Sequence, residues 1–425
     1  MHKLLLITYY WPPAGGPGVQ RWLQMLKHLP EHGFEISVWV PENPFYPIED
    51  AQLVQDIPEN IEVLKSPIRE PGQFLRWVAP RKTKRISAGI LQEKKVHWTE
   101  RVLLSIRGNL FIPDARIGWV KPSVQKLVPL IQEKNFQTVI TSGPPHSLHL
   151  IGQELKKSCS IKWVADFRDP WTSIGYHKKL GLGRRASRRH QELEKKVLQS
   201  ADQILVTSPG TKKEFQTLST QPIEVLTNGY ENLMEKGRLD SDFTLSHIGS
   251  LLSARNPKAL WQALSELKTE DSFFAEKFRL QLAGTVSEEV IQTIRDSGLE
   301  ENLLLLGYIP HAEVRQLQAQ SQVLLLLEIN HAYTTSILPG KLFEYMASLR
   351  PILAVGPKGW DAQAILEESQ TGRFFGYDQK EAIKAQLKDW FARYQSNTLN
   401  VKGIGIEAYS RKNLSAQLAS ILAWE

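Results

Sequence analysis

"KLLLITYYWPPAGGPGVQR", residues 3–21, joins an apolar run to a loop rich in glycine and proline. The loop leads into Val19, Trp22, Leu23, Leu26 and Leu29, which recur at helical spacing. A buried strand, a glycine loop and an amphipathic helix together open a parallel α/β sheet. The same alternation continues through "EISVWV", "IEVLKS", "TVIT", "IKWVADF" and "QILVTS". It restarts with "LSHIGS", "RLQLAG", "NLLLLG", "QVLLLLE", "PILAV" and "RFFGY". Continuous apolar strands separated by helical segments predict sheets covered on both faces, hence two doubly wound Rossmann-like domains in tandem.

The join is expected between about 205 and 243, where "SPGTKKE", "STQPIE" and "TNGYE" interrupt the pattern. Expected boundaries are 1–208 for a first domain with a helical insertion near 75–120, and 209–404 for a second. Residues 405–425 form a last helix with Leu414, Leu418, Ile421 and Leu422 on one face, expected to pack back on the first domain.

With 425 residues, 42% of them hydrophobic, the chain has the apolar content for a large core in more than one domain. Its single cysteine, Cys159, excludes an internal disulfide framework and a cysteine-cluster metal site, which fits the cytoplasm. The first residues read as a strand and not as a signal peptide, and no apolar run is long enough to span a bilayer, so a soluble or peripheral protein is expected. Residues 1–200 hold 30 Lys and Arg against 18 Asp and Glu, whereas the remainder holds 22 against 27. The basic excess is densest in "RKTKR" (81–85) and "GRRASRRHQELEKK" (183–196), and Phe74, Trp77, Trp98, Phe111 and Trp119 mix with basic residues between 74 and 119. A solvated surface, attraction to an anionic membrane or lipid-linked phosphate, and nucleic-acid binding all accommodate such charge. No nucleic-acid module motif accompanies it, so no nucleic-acid partner is expected. "GGPG" lacks the spacing of a dinucleotide fingerprint, so no nicotinamide or flavin cofactor is expected.

Ligands of open α/β sheets bind beyond the carboxyl ends of the strands, which directs attention to four strand tips. Gly15, Gly16 and Gly18 allow close approach of a ligand to the backbone, and the following helix offers free N–H groups to an anion. "SGPPHS" stiffens a turn with Pro144 and Pro145 and holds His146 at a strand tip, with His149 one turn into the helix; either histidine could be structural or part of a site. "DFRDPW" brings Asp166, Arg168, Asp169 and Trp171 together, either to pair among themselves or to bind a polyol and an anion. In "SILPGKLFEYMASLRPILAV" (336–355), Pro339 and Gly340 open a helix with Lys341 in its first turn, against the macrodipole. An anion bound there would reverse that cost, and Glu344 suits a vicinal diol such as a ribose.

The glycine loop, "NGYE" (228–231), "HIGSLLSARNP" (247–257) and "PGKLFEYMAS" (339–348) in this order resemble the family 4 retaining glycosyltransferases of GT-B fold, along essentially the whole chain. "YYWPPAGGPG", "SGPPHS" and "DFRDPW" look most like a bacterial branch involved in surface polysaccharide synthesis. The resemblance implies two Rossmann-like domains facing across a cleft and transfer from a nucleoside-diphosphate sugar to a glycan or lipid-linked acceptor. It implies that Gly15 and Gly16 face the donor, and that His146 lies by the transferred sugar with Asp169 as a second catalytic candidate. Arg168 and Trp171 fall on the acceptor side. Arg255 matches a cation for the diphosphate, Gly340 and Lys341 a phosphate-binding helix start, and Glu344 a ribose ligand; "LGYIPHAE" (306–313) resembles the loop against which the base packs. Ser336 replaces the first glutamate of the family's E-x7-E motif and Ser250 a usual arginine, with Lys341 placed to restore the lost charge. Neither a metal nor a cofactor is implied. A non-hydrolysing sugar-nucleotide epimerase and a non-catalytic sugar-nucleotide binding protein are the competing readings.

Overall fold

The computed structural model describes residues 1–70, 105, 108–178, 180–235 and 237–423. The "RKTKR" stretch and most of the insertion expected near 75–120, including Phe74, Trp77 and Trp98, lie outside the described residues. The chain divides into two units, Met1–Asn228 with Arg411–Glu425, and Gly229–Ser410.

The first unit is built on seven parallel strands: β1 (His2–Thr8), β2 (Phe34–Pro41), β3 (Glu62–Ser66), β4 (Thr138–Gly143), β5 (Lys162–Phe167), β6 (Gln203–Val206) and β7 (Ile223–Val225), in the order β3-β2-β1-β4-β5-β6-β7. Leu4, Leu5, Leu6 and Ile7 are all fully buried, as a central strand covered on both faces requires. The second unit has six: β8 (Phe243–Ile248), β9 (Phe278–Ala283), β10 (Leu303–Gly307), β11 (Val323–Leu327), β12 (Ile352–Val355) and β13 (Gly372–Phe375), in the order β10-β9-β8-β11-β12-β13. Strand order reverses between β1 and β4 in one sheet and between β8 and β11 in the other. These two switch points are where open sheets leave a crevice for ligands.

Helix Pro17–His28 follows β1 and buries Val19, Trp22, Leu23 and Leu26, the face foreseen from its spacing. The C-terminal helix Arg411–Leu422 lays Leu414, Leu418 and Leu422 into the same core, and Ser415 Oγ donates to Met25 O at 3.1 Å. The expected boundary at 208/209 moves to 228/229. Residues 209–225 add helix Pro209–Phe215, capped by Ser208, and edge strand β7, which pairs with β6. Three residues of strand between turn-rich segments carry too weak a pattern to be separated from a linker. No described helix is long and apolar enough to cross a membrane.

Candidate functional site

In the first unit the strand-tip candidates follow β1, β4 and β5, which are adjacent at the switch point. The loop after β1 is tied down at its outer edge: Gly15 N donates to Ile48 O at 3.0 Å and Asp50 N to Pro13 O at 2.7 Å. Gly16 has φ 105° and precedes helix Pro17–His28, whose start has no side-chain cap and no acidic residue in the first turn. The amides of Gly16 and Gly18 have no intramolecular partner among the described residues. Arg168, from the tip of β5, lies directly over Gly18, where a Cβ would fall inside the guanidinium. Arg168 Nε donates to Gly143 O at 3.3 Å and its Nη2 to Pro144 O, fixing the cation above the helix start. Positive charge, the helix dipole and two unpartnered amides thus converge on one small volume, an arrangement that favours an anion.

Asp166 does not face that volume. It is fully buried and pairs with Arg21 (3.1 Å), while Trp22 Nε1 and Ser142 Oγ donate to its other oxygen at 2.9 and 2.7 Å. Arg21 also donates to Leu226 O and Thr227 O, so this ion pair holds the chain after β7 to the first helix. Asp169 is half-buried and has no hydrogen bond or ion pair among the described residues; burial raises its pKa, opposed by Arg168.

His146 is 5% exposed, and neither ring nitrogen has a partner among the described residues. Its ring stacks on Trp171 at 5.0 Å and 4°, with Phe167 beyond. Burial, then His149 and Arg168, push its pKa well below the usual 6.5, so the imidazole is neutral near pH 7. It can accept or donate one hydrogen bond but brings no charge. His149 is core: fully buried, within hydrogen-bonding distance of Thr141 Oγ1 through Nδ1 (3.0 Å), and lowered to about 3 by burial.

Trp171, expected to touch an acceptor, is 1% exposed and offers it no face. It is instead the platform beneath His146. Its indole N–H donates to His190 Nδ1 at 3.1 Å, and its backbone N–H donates to Glu194 Oε1 at 3.1 Å. Glu194 and His190 come from the buried face of helix Arg184–Ser200, and Asp114 closes the other side by accepting from Ser147 N and Oγ at 2.9 and 2.8 Å. The sequence reading passed over all three. Glu194 carried a signal, since it shares an apolar helical face with Ala186, His190, Leu193 and Val197. Asp114 carried none, because nothing local shows that it caps a helix beginning at Ser147.

The second unit repeats the logic at the tip of β8. Helix Gly340–Ala347 starts after Pro339 with no side-chain cap and no acidic first turn. Lys341 reaches back over Gly249, whose Cβ, if present, would lie 2.8 Å from the ammonium. Gly249 also has φ 129°, so both conformation and space require glycine there. The ammonium is half-buried with no hydrogen bond or ion pair among the described residues, and burial, with Arg255 nearby, lowers its pKa to about 8. Arg255, assigned to the diphosphate, is partly engaged: its Nη2 donates to the buried Glu328 Oε1 at 3.1 Å. Glu344 is half-buried and accepts from Gln318 Nε2 at 3.2 Å, leaving acceptor capacity free. Ser336 is half-buried with no hydrogen bond among the described residues, and Ser250 is exposed.

Residues 242–392 match the family model of the glycosyl transferases group 1, a span holding all of the second unit's candidates. A glycosyltransferase from Rickettsia africae superposes with a TM-score of 0.60 at 12% identity, covering 99% of this chain and 97% of that one. The Anabaena protein HepE, solved with UDP and glucose, gives 0.59 at 15% identity over the full length of both. Sucrose-phosphate synthase from Thermosynechococcus elongatus gives 0.60 at 13%, covering 99% and 98%. The chain has the GT-B fold. No curated protein matches the sequence.

Proposed function

We propose that this protein is a glycosyltransferase that moves a sugar from a nucleoside-diphosphate sugar to a glycan or lipid-linked acceptor. Configuration would be retained, and the setting would be bacterial cell-surface polysaccharide synthesis. The observation that carries the reading is the Lys341 ammonium, unpartnered at an uncapped helix start within the segment that matches a glycosyltransferase family.

Charge develops on the leaving nucleoside diphosphate as the glycosidic bond breaks, and prealigned donors stabilise it without reorganising. Lys341 and the Gly340 helix start hold the phosphates, with Arg255 alongside and Glu344 on the ribose. In the first unit Gly16 leaves the start of helix Pro17–His28 uncapped and Arg168 sets a cation over it, whereas the Gly15 amide is already bonded to Ile48 O. His146 is held neutral and rigid on Trp171, suited to a hydrogen bond with a sugar hydroxyl. The acceptor's proton passes to the leaving phosphate on the same face as attack, and Asp169, half-buried and unpartnered among the described residues, is the second catalytic candidate. HepE's complex with UDP and glucose supports a nucleotide-sugar donor.

The test is incubation with labelled UDP-, GDP-, ADP- and TDP-sugars and a lipid-linked acceptor. Transfer of label with retained anomeric configuration is expected. Epimerised donor would establish the epimerase reading. Binding without turnover would establish the non-catalytic one, for which Ser336 in place of a carboxylate is the observation in favour.

A further inference from the structure

We propose that the outer face of helix Arg184–Ser200 is a docking surface for anionic lipid. The helix buries Ala186, His190, Leu193, Glu194, Val197 and Leu198, so everything between them faces outward. That outer face holds six exposed cations, Arg184, Arg185, Arg188, Arg189, Lys195 and Lys196, against a single carboxylate, Glu192. Arg188 and Arg189 share Glu192 at 3.2 and 3.8 Å; the other four cations have no ion pair among the described residues.

Such an arrangement is unfavourable for an isolated helix. Arg184 and Arg185 sit in the first turn, against the macrodipole, and Arg184/Arg188 and Arg185/Arg189 are like-charged pairs one turn apart. An ordinary solvated face intersperses acids and removes both costs. An anionic plane reverses their sign, because every cation on the face then meets opposite charge.

An apolar contact adjoins the charge. Asn109 Oδ1 accepts from Gly183 N at 2.8 Å, fixing the segment 108–110 to the start of this helix, and the next residue, Leu110, is 74% exposed. Basic residues beside an exposed leucine suit the boundary between headgroups and acyl chains, where charge attracts and an apolar side chain inserts. Duplex nucleic acid would use the charge but has no use for Leu110.

The inference is independent of the reaction proposed above. Its test is co-sedimentation of the full chain with vesicles of phosphatidylcholine alone or mixed equally with phosphatidylglycerol. Strong binding to the mixed vesicles only, weakened by salt, is expected. Each basic residue at a membrane surface contributes about five-fold in affinity, so neutralising Arg184, Arg185, Arg188 and Arg189 to Gln lowers binding by a few hundred-fold. These side chains are exposed, and an unchanged melting temperature verifies the fold. Leu110→Ser weakens binding with no change of charge. A control variant neutralising the exposed Lys121, Lys126, Lys388 and Lys402 makes the same change in net charge and retains most binding. Equal losses in the two charge variants, no preference for anionic vesicles, or tighter binding to duplex DNA at equal phosphate concentration would each overturn the proposal.

Discussion

Lys341 gives the proposed donor site a pH dependence that can be measured without knowing the sugar. Its ammonium is held at a pKa of about 8 by burial, below the ordinary 10.5. An anion at the Gly340 helix start needs that group charged. At about pH 7 roughly nine-tenths of the protein carries the charge, and at about pH 9 roughly one-tenth, so affinity for the nucleoside diphosphate falls about ten-fold between them, about 1.4 kcal/mol. Calorimetry with whichever of UDP, GDP, ADP or TDP binds provides the assay, and Lys341→Met the control. The variant binds weakly and equally at both values. Stability moves the other way: a lysine whose folded pKa lies below its unfolded value weakens the fold most below about pH 8, and the effect fades as pH rises towards 10.5. The ligand-free Lys341→Met protein therefore melts no lower than the parent at neutral pH. A parent whose affinity is flat across this range, or a variant that falls in parallel with it, refutes the assignment.

The remaining expectations concern both units. Asp166→Ala leaves Arg21 buried and uncompensated, and the unfolding transition of the first unit in urea drops by about 3–5 kcal/mol. Gly18→Ala displaces the Arg168 guanidinium, so turnover falls at least ten-fold while circular dichroism is unchanged; an active variant would remove Arg168 from the site. His146→Ala lowers turnover far more than donor affinity, and because the imidazole of the parent is already neutral, turnover shows no inflection from it between about pH 6 and pH 8. Glu344→Ala weakens nucleoside diphosphate binding, and unchanged affinity in calorimetry would sink its role at the ribose.

The double domain was legible because its strands are buried on both faces and read as unbroken apolar runs, from "KLLLIT" to "PILAV". β7 was not, since a three-residue edge strand carries no period to detect. Positions of Gly18, His146 and Lys341 at helix starts, with Glu344 one turn further along, followed from topology alone. What each side chain touches did not. Asp166 and Arg168 lie two apart in "DFRDPW", yet Asp166 is still within β5 and buried against Arg21, whereas Arg168 follows the strand's last residue, Phe167, where the chain turns and sets the guanidinium over Gly18. Trp171, placed on the acceptor side by the resemblance, is buried beneath His146 instead. It is held by Glu194 and His190, from a helix whose dense charge is more conspicuous in the sequence than the apolar face these two residues share.

Gly18 and Arg168 share one volume, although one lies in the first helix and the other just past β5, far apart in the chain. Neither can change alone without consequence: a side chain at 18 evicts the guanidinium, and a shortened residue at 168 leaves a hole above a bare helix end. Across the descendants of a common ancestor the two positions should therefore drift as a couple, glycine with arginine, or a larger residue with a smaller one. A double substitution that exchanges the bulk, such as Gly18→Ala with Arg168→Ser, should restore packing but not the cation, separating the steric contribution of this pair from its electrostatic one.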